Sequence, residues 1–491
     1  MAPWLVRHAL LPSLMTMAVA AALPAQIIPV RTVPVASGDQ FLTLPSATLG
    51  MGGVTLAVDD SLADPWENPA KGVFIAEPAL LGAPTFYGIS DDRGAGRTFP
   101  VAGFFRGRSW FGGAALALQQ IENEDGQTFA WRTDVWWPEP TRRLSDASSR
   151  NLYANGFLGR SLGDGTWSVG LGLSAAGLDA VDGVDLLYAN AEAIEQSGTT
   201  VDVRLGLFRQ APRDRLSLVI LHDRVSMTHD VTYVDVRWDT VTWIPIVERR
   251  VEENLDRTRT WGAQAAWDRE LSAPGWRLGT SLTANRKSHP KIPNYDIQNI
   301  PRDPGTTWAW EAGMGVSRSR GSTTFGLDVL LQPIWSDTWQ EAAGDTVTST
   351  GQPIREGERT IENDFFFTNV VLRTGIEHRL GSATFQAGLE VRSYDYELEQ
   401  RNHLDASFRT QDEAWMEWSP AAGLAYRFDD VEVRYAGRLT TGTGRPGVAL
   451  TAVAERALDS MADFIIAPEG PLTLQEASVL THQLAIRIPV R

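Results

Sequence analysis

The chain has 491 residues, no cysteine and a formal net charge of −16 at pH 7. The acidic balance argues against nucleic acid as a partner, because such binding depends on clustered Lys and Arg that neutralise phosphates. A sequence without cysteine also excludes disulfides and thiolate metal sites.

The first 25 residues have the order of a secretory signal peptide. Arg7 and His8 give a weakly charged start, an apolar run extends from Ala9 to Leu23, and small residues offer cleavage after Ala22 or Ala25. The run is shorter than the ~20 residues of a membrane-spanning helix, and no later stretch is long and apolar enough for one. We therefore expect residues 1–25 to be removed and the chain to be exported.

Residues 26–80 form an N-terminal extension without strand periodicity. Its second half is rich in glycine and small residues and is broken by Asp59, Asp60, Pro65 and Pro69. Glycine allows the backbone to approach a wall closely and to adopt positive φ. We expect this extension to be packed against a larger body that begins near residue 81.

From residue 81 to residue 491 the sequence repeats with a period of two. Phe325, Leu327, Val329 and Leu331 alternate with small or polar residues, and Val201, Val203, Leu205 and Leu207 do the same. This period predicts strands with one apolar and one polar face. Short turns alternating with long polar loops favour a transmembrane antiparallel β-barrel, which turns its apolar face to lipid.

The pattern predicts about 14–16 strands. The candidate strands are 84–90, 98–106, 109–121, 149–162, 166–179, 198–211, 215–235, 256–271, 275–288, 305–319, 322–337, 362–380, 383–400, 412–428, 430–441 and 482–490. Tryptophans near the strand ends fit the aromatic girdles of such barrels; they are Trp110, Trp167, Trp261, Trp276, Trp308, Trp335 and Trp418. The predicted location is the bacterial outer membrane, with its lipid as a partner.

Charged residues on the polar faces are predicted to line the lumen. They are Asp202, Arg204, Asp328, Arg373, Glu377, Glu390, Arg392, Glu432 and Arg434. Both signs stand side by side, which favours ion pairs that stiffen the interior over the single-sign lining of a selective ion pore.

One motif in the extension resembles a known family. Leu49-Gly50-Met51-Gly52-Gly53 leads through Asp59-Asp60-Ser61 to Asn68-Pro69-Ala70. This order is similar to the N-terminal segment of FadL-type long-chain fatty-acid transporters and of PorV-like barrels. Two departures are Lys71 after the motif, where the family often has Gly-Leu, and a C-terminus, Arg487 to Arg491, that lacks the terminal aromatic residue common in these barrels.

The resemblance implies that residues 26–80 include a plug inside the barrel. The plug or gate candidates that it marks are Gly52, Gly53, Asp59, Asp60, Asn68, Pro69 and Ala70. It also implies a transporter of hydrophobic small molecules. The alternative is a PorV-like barrel without transport activity that anchors or receives secreted proteins at the outer membrane.

No motif supports an enzyme, a cofactor or a metal. Gly159 to Gly163 matches Gly-x-Ser-x-Gly, but Ser161 precedes a hairpin turn and not the strand-to-helix elbow that this motif requires. The histidines are isolated, and the acidic run from Glu122 to Asp125 fits a solvated loop. The transporter hypothesis predicts a continuous apolar pocket lined by loops and by residues Gly50 to Ala70. The anchoring hypothesis predicts a closed lumen and an exposed aromatic loop, for which residues 131–137 are a candidate under either hypothesis.

Overall fold

The computed structural model describes residues 36, 40–92, 94–123, 149–181, 193–238, 245–289, 305–342, 344–446 and 474–490. The expected signal peptide and residues 131–137 lie outside these ranges. Within them, no helix has the length and apolar character needed to cross a membrane.

In the described part of the chain, sixteen strand positions make up the barrel. Two of them are interrupted, so that β1 consists of Ala79–Gly82 and Thr85–Ile89, and β8 consists of Pro245–Asp256 and Arg259–Glu270. The others are β2 Gly94–Arg106, β3 Trp110–Asn123, β4 Ser149–Leu162, β5 Trp167–Leu178, β6 Ala193–Gln210, β7 Asp214–Trp238, β9 Trp276–His289, β10 Gly305–Arg320, β11 Thr323–Glu341, β12 Arg359–Leu380, β13 Ala383–Asn402, β14 Ser407–Phe428, β15 Val431–Pro446 and β16 Leu474–Pro489.

Each strand pairs antiparallel with its neighbour along the chain, and β16 pairs with both halves of β1. The sheet is therefore a closed ring without free edges, which confirms the predicted all-β antiparallel barrel and its strand number. The first strand of the barrel begins at Ala79. The interruption in β1 falls at Pro84, which accepts a hydrogen bond from Leu484 N (2.9 Å) but has no N–H to donate.

Some strands extend further than the apolar pattern predicts. Residues 235–254 read as a polar loop, but β7 continues to Trp238 and the first half of β8 starts at Pro245. The sequence interpretation was wrong here because backbone pairing beyond the apolar belt needs no apolar face. Within the loop between β11 and β12, Thr346–Val347 and Pro353–Ile354 add a two-stranded ribbon.

The outer face of the barrel carries the predicted apolar positions. Val201, Val203, Leu205, Phe325 and Val329 are all exposed. Their chain neighbours Asp202 and Asp328 are fully buried, at 0% exposure, on the opposite face. Exposed apolar side chains on one face of a closed ring form the band that meets lipid in a transmembrane barrel.

Residues 40–75, which we call the inner segment, contain three short helices. They are the 3-10 helix Leu49–Met51, the α-helix α1 Asp64–Glu67 and the 3-10 helix Pro69–Phe74. The inner segment touches the buried face of β14 at Gly423, of β9 at Gly279 and of β5 at Gly170. A segment that contacts the same face on opposite sides of a closed ring must lie inside it.

Candidate functional site: the inner segment and the luminal wall

Asp60 holds the inner segment together. Its Oδ1 accepts hydrogen bonds from the backbone N–H groups of Ala47 (2.8 Å), Ala63 (3.0 Å) and Leu62 (3.1 Å). Its Oδ2 accepts from the hydroxyl of Ser46 at 2.5 Å. The carboxylate is buried, and these donors compensate its charge. The predicted gate residue Asp60 therefore lies within the segment and does not face an open channel.

Glycines in the strands make room for the inner segment. An added Cβ at these positions would lie within 3.0 Å of an atom of the segment, closer than real contacts allow. The positions are Gly170, Gly172, Gly206, Gly279, Gly313, Gly315, Gly326, Gly375 and Gly388. They belong to β5, β6 and β9 to β13, so the segment follows the wall around much of the ring.

The predicted gate residues Gly52 and Gly53 both need glycine for their backbone. Gly52 has φ 71° and Gly53 has φ 74°, a left-handed region that other residues rarely adopt. A Cβ on Gly52 would also meet the backbone N of Leu389 at 2.7 Å. Gly53 instead lies beside the side chain of Arg373, and a Cβ added to it would be 3.7 Å from Nε. The glycine cluster thus forms a tight turn against β12 and β13.

Asn68 connects the inner segment to the opposite wall. Its Nδ2 donates to Ser217 Oγ in β7 (2.7 Å), and its Oδ1 accepts from Ala70 N (3.0 Å). Pro69 follows directly, and the carbonyl oxygen of Ala70 accepts from Ser168 Oγ at 2.9 Å. Asn68 has φ −120° and ψ 104°, the extended geometry that a following proline favours. The Asn-Pro-Ala motif is therefore a docking turn between β5 and β7.

Asp59 pairs with arginines of the wall. Its carboxylate lies 2.6 Å from Arg215 and 3.3 Å from Arg277, and Arg215 also pairs with Asp268 at 2.9 Å. Burial alone would raise the pKa of Asp59, but the hydrogen bond and charge of Arg215 lower it below its ordinary value. A cavity of about 80 Å³ beside this cluster is lined by residues of the inner segment and of β6 to β9.

Asp64 and Lys71 form an ion pair within the inner segment. The Nζ of Lys71 donates to Asp64 Oδ1 at 2.6 Å. Burial raises the pKa of Asp64 to about 6, against the opposing effect of the Lys71 charge. Lys71, which departs from the family motif, thus neutralises a buried carboxylate of this chain.

The luminal charges predicted from sequence are joined in pairs and small networks. Arg204 Nε donates to Asp202 (2.8 Å), Arg373 Nε donates to Glu390 (2.7 Å), and Arg392 lies 3.4 Å from the same carboxylate. Glu432 pairs with Arg434, and Glu377 accepts from Gln386 Nε2 at 2.8 Å. Asp328 accepts from Thr55 N (2.8 Å) and Leu56 N (3.1 Å), so it binds the inner segment. These contacts place both signs together on the inner face.

A luminal apolar cluster near the long-loop end was missed by the sequence reading. Its members are Ala309, Ile334, Phe367, Tyr396 and Leu398, with Phe365 and Trp415 packed against them. Phe365 and Phe367 lie on the luminal face of β12, which also carries the buried Asn369. The alternation therefore does not make this part of the luminal face polar. The run Phe365-Phe366-Phe367, apolar on both faces, was the signal in the sequence.

Ser161 lies near the end of β4, followed by the turn at Gly163 to Gly165. A strand-to-strand hairpin does not build the elbow on which the hydrolase motif depends. Among the residues that the structure describes, no group of three or more His, Asp or Glu side chains could hold a metal ion. The prediction that the chain is not an enzyme remains a prediction.

No protein-family model matches the chain, and no curated protein sequence matches it. A solved structure of similar shape is the toluene transporter TbuX of Ralstonia pickettii, with 13% identity, 90% of this chain and 97% of that chain covered, and a TM-score of 0.35. Another is the toluene transporter TodX of Pseudomonas putida, with 9% identity, 90% of this chain and 96% of that chain covered, and a TM-score of 0.37. The iron transporter FrpB of Neisseria meningitidis is also similar (9%, 85% and 82%, TM-score 0.33).

Proposed function

We propose that this chain is a FadL-like transporter of hydrophobic small molecules in the bacterial outer membrane, with the inner segment as its plug. The observation that supports this most is the luminal apolar cluster around Phe367. The interior of a water-filled porin is polar. Sites for hydrophobic ligands are instead concave and mostly apolar, with a few polar groups that orient the ligand.

The position of the cluster suits a first binding site. Phe367, Tyr396 and Trp415 lie in the halves of β12, β13 and β14 nearer to the long-loop end, which is the extracellular end of bacterial barrels. Tyr396 also accepts a hydrogen bond from Gln411 Nε2 at 3.0 Å, so polar groups border the apolar cluster. A ligand from outside would reach this cluster before it reached the inner segment.

The inner segment then controls passage in this proposal. Its contacts with Gly206, Gly279 and Gly375 fall in the strand halves nearer to the short turns, below the apolar cluster. A hydrophobic molecule held at the cluster must pass the segment or displace part of it. The ion pairs of Asp59 and the hydrogen bonds of Asn68 are the contacts that would break.

Uptake of labelled oleate and labelled toluene by cells that produce the protein, against cells with an empty vector, tests the proposal. Phe367→Ala should lower uptake several-fold because it removes a central ring of the apolar cluster. Phe366→Ala is the matched control, since this ring packs against the exposed Trp335 on the outer face. Equal uptake with and without the wild-type protein would overturn the transporter proposal.

The described residues do not favour the anchoring alternative. That hypothesis depends on an exposed aromatic loop, and its candidate, residues 131–137, lies outside the described ranges. Uptake that is absent, together with co-purification of a secreted protein that depends on residues 131–137, would support it instead.

A further inference from the structure

The outer face of the barrel has repeated arginine–tryptophan pairs at its short-turn end. Trp110 is the register partner of Arg160, Trp167 of Arg209, and Trp276 of Arg318. The guanidinium carbon of each arginine stands over its partner's ring, at 5.4, 5.9 and 5.1 Å from the centroid. These three pairs lie at the short-turn ends of strands between β3 and β10, and we call them the basic rim.

Further arginines add charge to the basic rim. Arg269 on β8 and Arg320 on β10 are exposed on the same face. Arg209 pairs with Asp214 at 3.1 Å, whereas Arg160 and Arg318 form no ion pair with a described residue. The rim is therefore positively charged, although the chain as a whole carries a net charge of −16.

Acidic residues lie in register at the long-loop end of the outer face on β11 to β13. Asp337 on β11 lies directly across from Asp364 on β12, and Asp364 lies across from Glu399 on β13. Like charges in register destabilise a sheet, so this arrangement is not explained by strand pairing. On β11 to β13 the outer face thus carries acidic residues at the long-loop end, in contrast to the basic rim at the short-turn end of β3 to β10.

We propose that the basic rim binds the headgroup phosphates of anionic glycerophospholipids in the leaflet at the short-turn end. Arginine presents several N–H donors in a plane that matches phosphate oxygens. Stacking on tryptophan fixes that plane, and the tryptophan ring itself favours the membrane interface. The apolar band next to the rim, with Leu158 and Leu171 exposed, receives the acyl chains of the same lipid.

This inference rests on the proposed membrane location and not on transport. Flotation of the full chain with phosphatidylcholine vesicles tests the location by itself. If the protein floats but shows no preference among lipids, the basic rim proposal fails and the membrane location stands.

Quenching of tryptophan fluorescence by brominated lipids measures the preference. For the reconstituted wild-type protein, we expect an apparent affinity about fivefold higher for brominated phosphatidylglycerol than for brominated phosphatidylcholine. One basic residue near an anionic surface contributes about that factor. The preference should shrink in 0.5 M NaCl, because salt screens exposed charges. Arg160→Gln with Arg318→Gln should lower it below the wild-type value, while Arg269 and Arg320 remain in the rim.

The matched control is Arg224→Gln with Arg286→Gln. These two arginines also face outward, and Arg286 stands over Trp308 at 5.8 Å, but both lie away from the short-turn end. The control should keep the wild-type preference. Equal loss in both double variants would mean a general charge effect and would overturn the proposal. Native mass spectrometry of the wild type, in which phosphatidylglycerol is not retained over phosphatidylcholine, would do so without any variant.

Discussion

The missing side chain of Gly206 leaves the space that Asn68 occupies: a Cβ at Gly206 would overlap Asn68 Oδ1. Asn68 in turn donates to Ser217 Oγ on the neighbouring strand. A wall position and a turn of the inner segment therefore depend on each other. The same relationship recurs at Gly279 with Leu56 and at Gly375 with Met51.

Gly206→Ala should loosen the inner segment while the barrel still assembles. The added methyl displaces Asn68, whereas the strand pairing of β6 does not involve the side chain. We expect faster proteolysis within residues 40–75 and an unchanged heat shift of the barrel on gels. Gly88→Ala is the control, because nothing lies within 4 Å of its added Cβ. Identical proteolysis of the two variants would contradict the docking described above.

Asn68→Ala and Pro69→Ala should alter permeation more than assembly. Asn68→Ala removes the donor to Ser217 and the acceptor for Ala70 N, and each buried group left unpaired costs about 1–3 kcal/mol. Deletion of Gly52 to Ala70 should leave a folded barrel with raised conductance in planar bilayers. A deletion variant that does not assemble, or one with unchanged conductance, would show that the inner segment is not a gate.

Charge on the lipid-facing side should be costly near the middle of the bilayer. Leu327→Arg and Leu389→Arg should each destabilise the barrel by about 2–4 kcal/mol, whereas Leu380→Arg at the exposed short-turn rim should cost about 0–1 kcal/mol. Urea unfolding in lipid vesicles measures the difference. Equal costs at the three positions would mean that the assigned depth or face is wrong.

The structure also changes the expectation for one substitution that the strand pattern predicts to be tolerated. Gln386→Arg is predicted from the alternation alone to be mild, because Gln386 faces the lumen. Its Nε2 donates to Ala47 O (2.9 Å) and to Glu377 (2.8 Å), so the substitution would disturb the inner segment. A luminal position is tolerant only where nothing is packed against it.

Asp64 should give the stability a pH dependence that Asp64→Asn lacks. Its pKa is raised from 3.8 to about 6, so the folded state holds a proton that the unfolded state has released between these values. The free energy of unfolding of the wild type, relative to Asp64→Asn, should therefore fall as pH rises from about 4 to about 6. The difference is at most about 3 kcal/mol. Urea titrations at pH 4, 5, 6 and 7.5 measure it, and parallel profiles would exclude it.

The sequence by itself determined the barrel and the identity of its faces. A period of two sets which side chains point outward, because successive residues of a strand alternate sides. Polar turns and the length of the loops then set the strand number and the order of pairing. For the same reason the luminal position of Asp202 and Arg373 followed from local pattern.

Only the tertiary structure decided what those luminal residues touch. Asp328 binds the backbone of Thr55 and Leu56, which are more than 270 residues away along the chain. Such contacts depend on ring closure, and no local period encodes the distance between β11 and the inner segment. The apolar cluster around Phe367 arises in the same way, since Ile334, Phe367 and Tyr396 meet only when β11, β12 and β13 pair in this register.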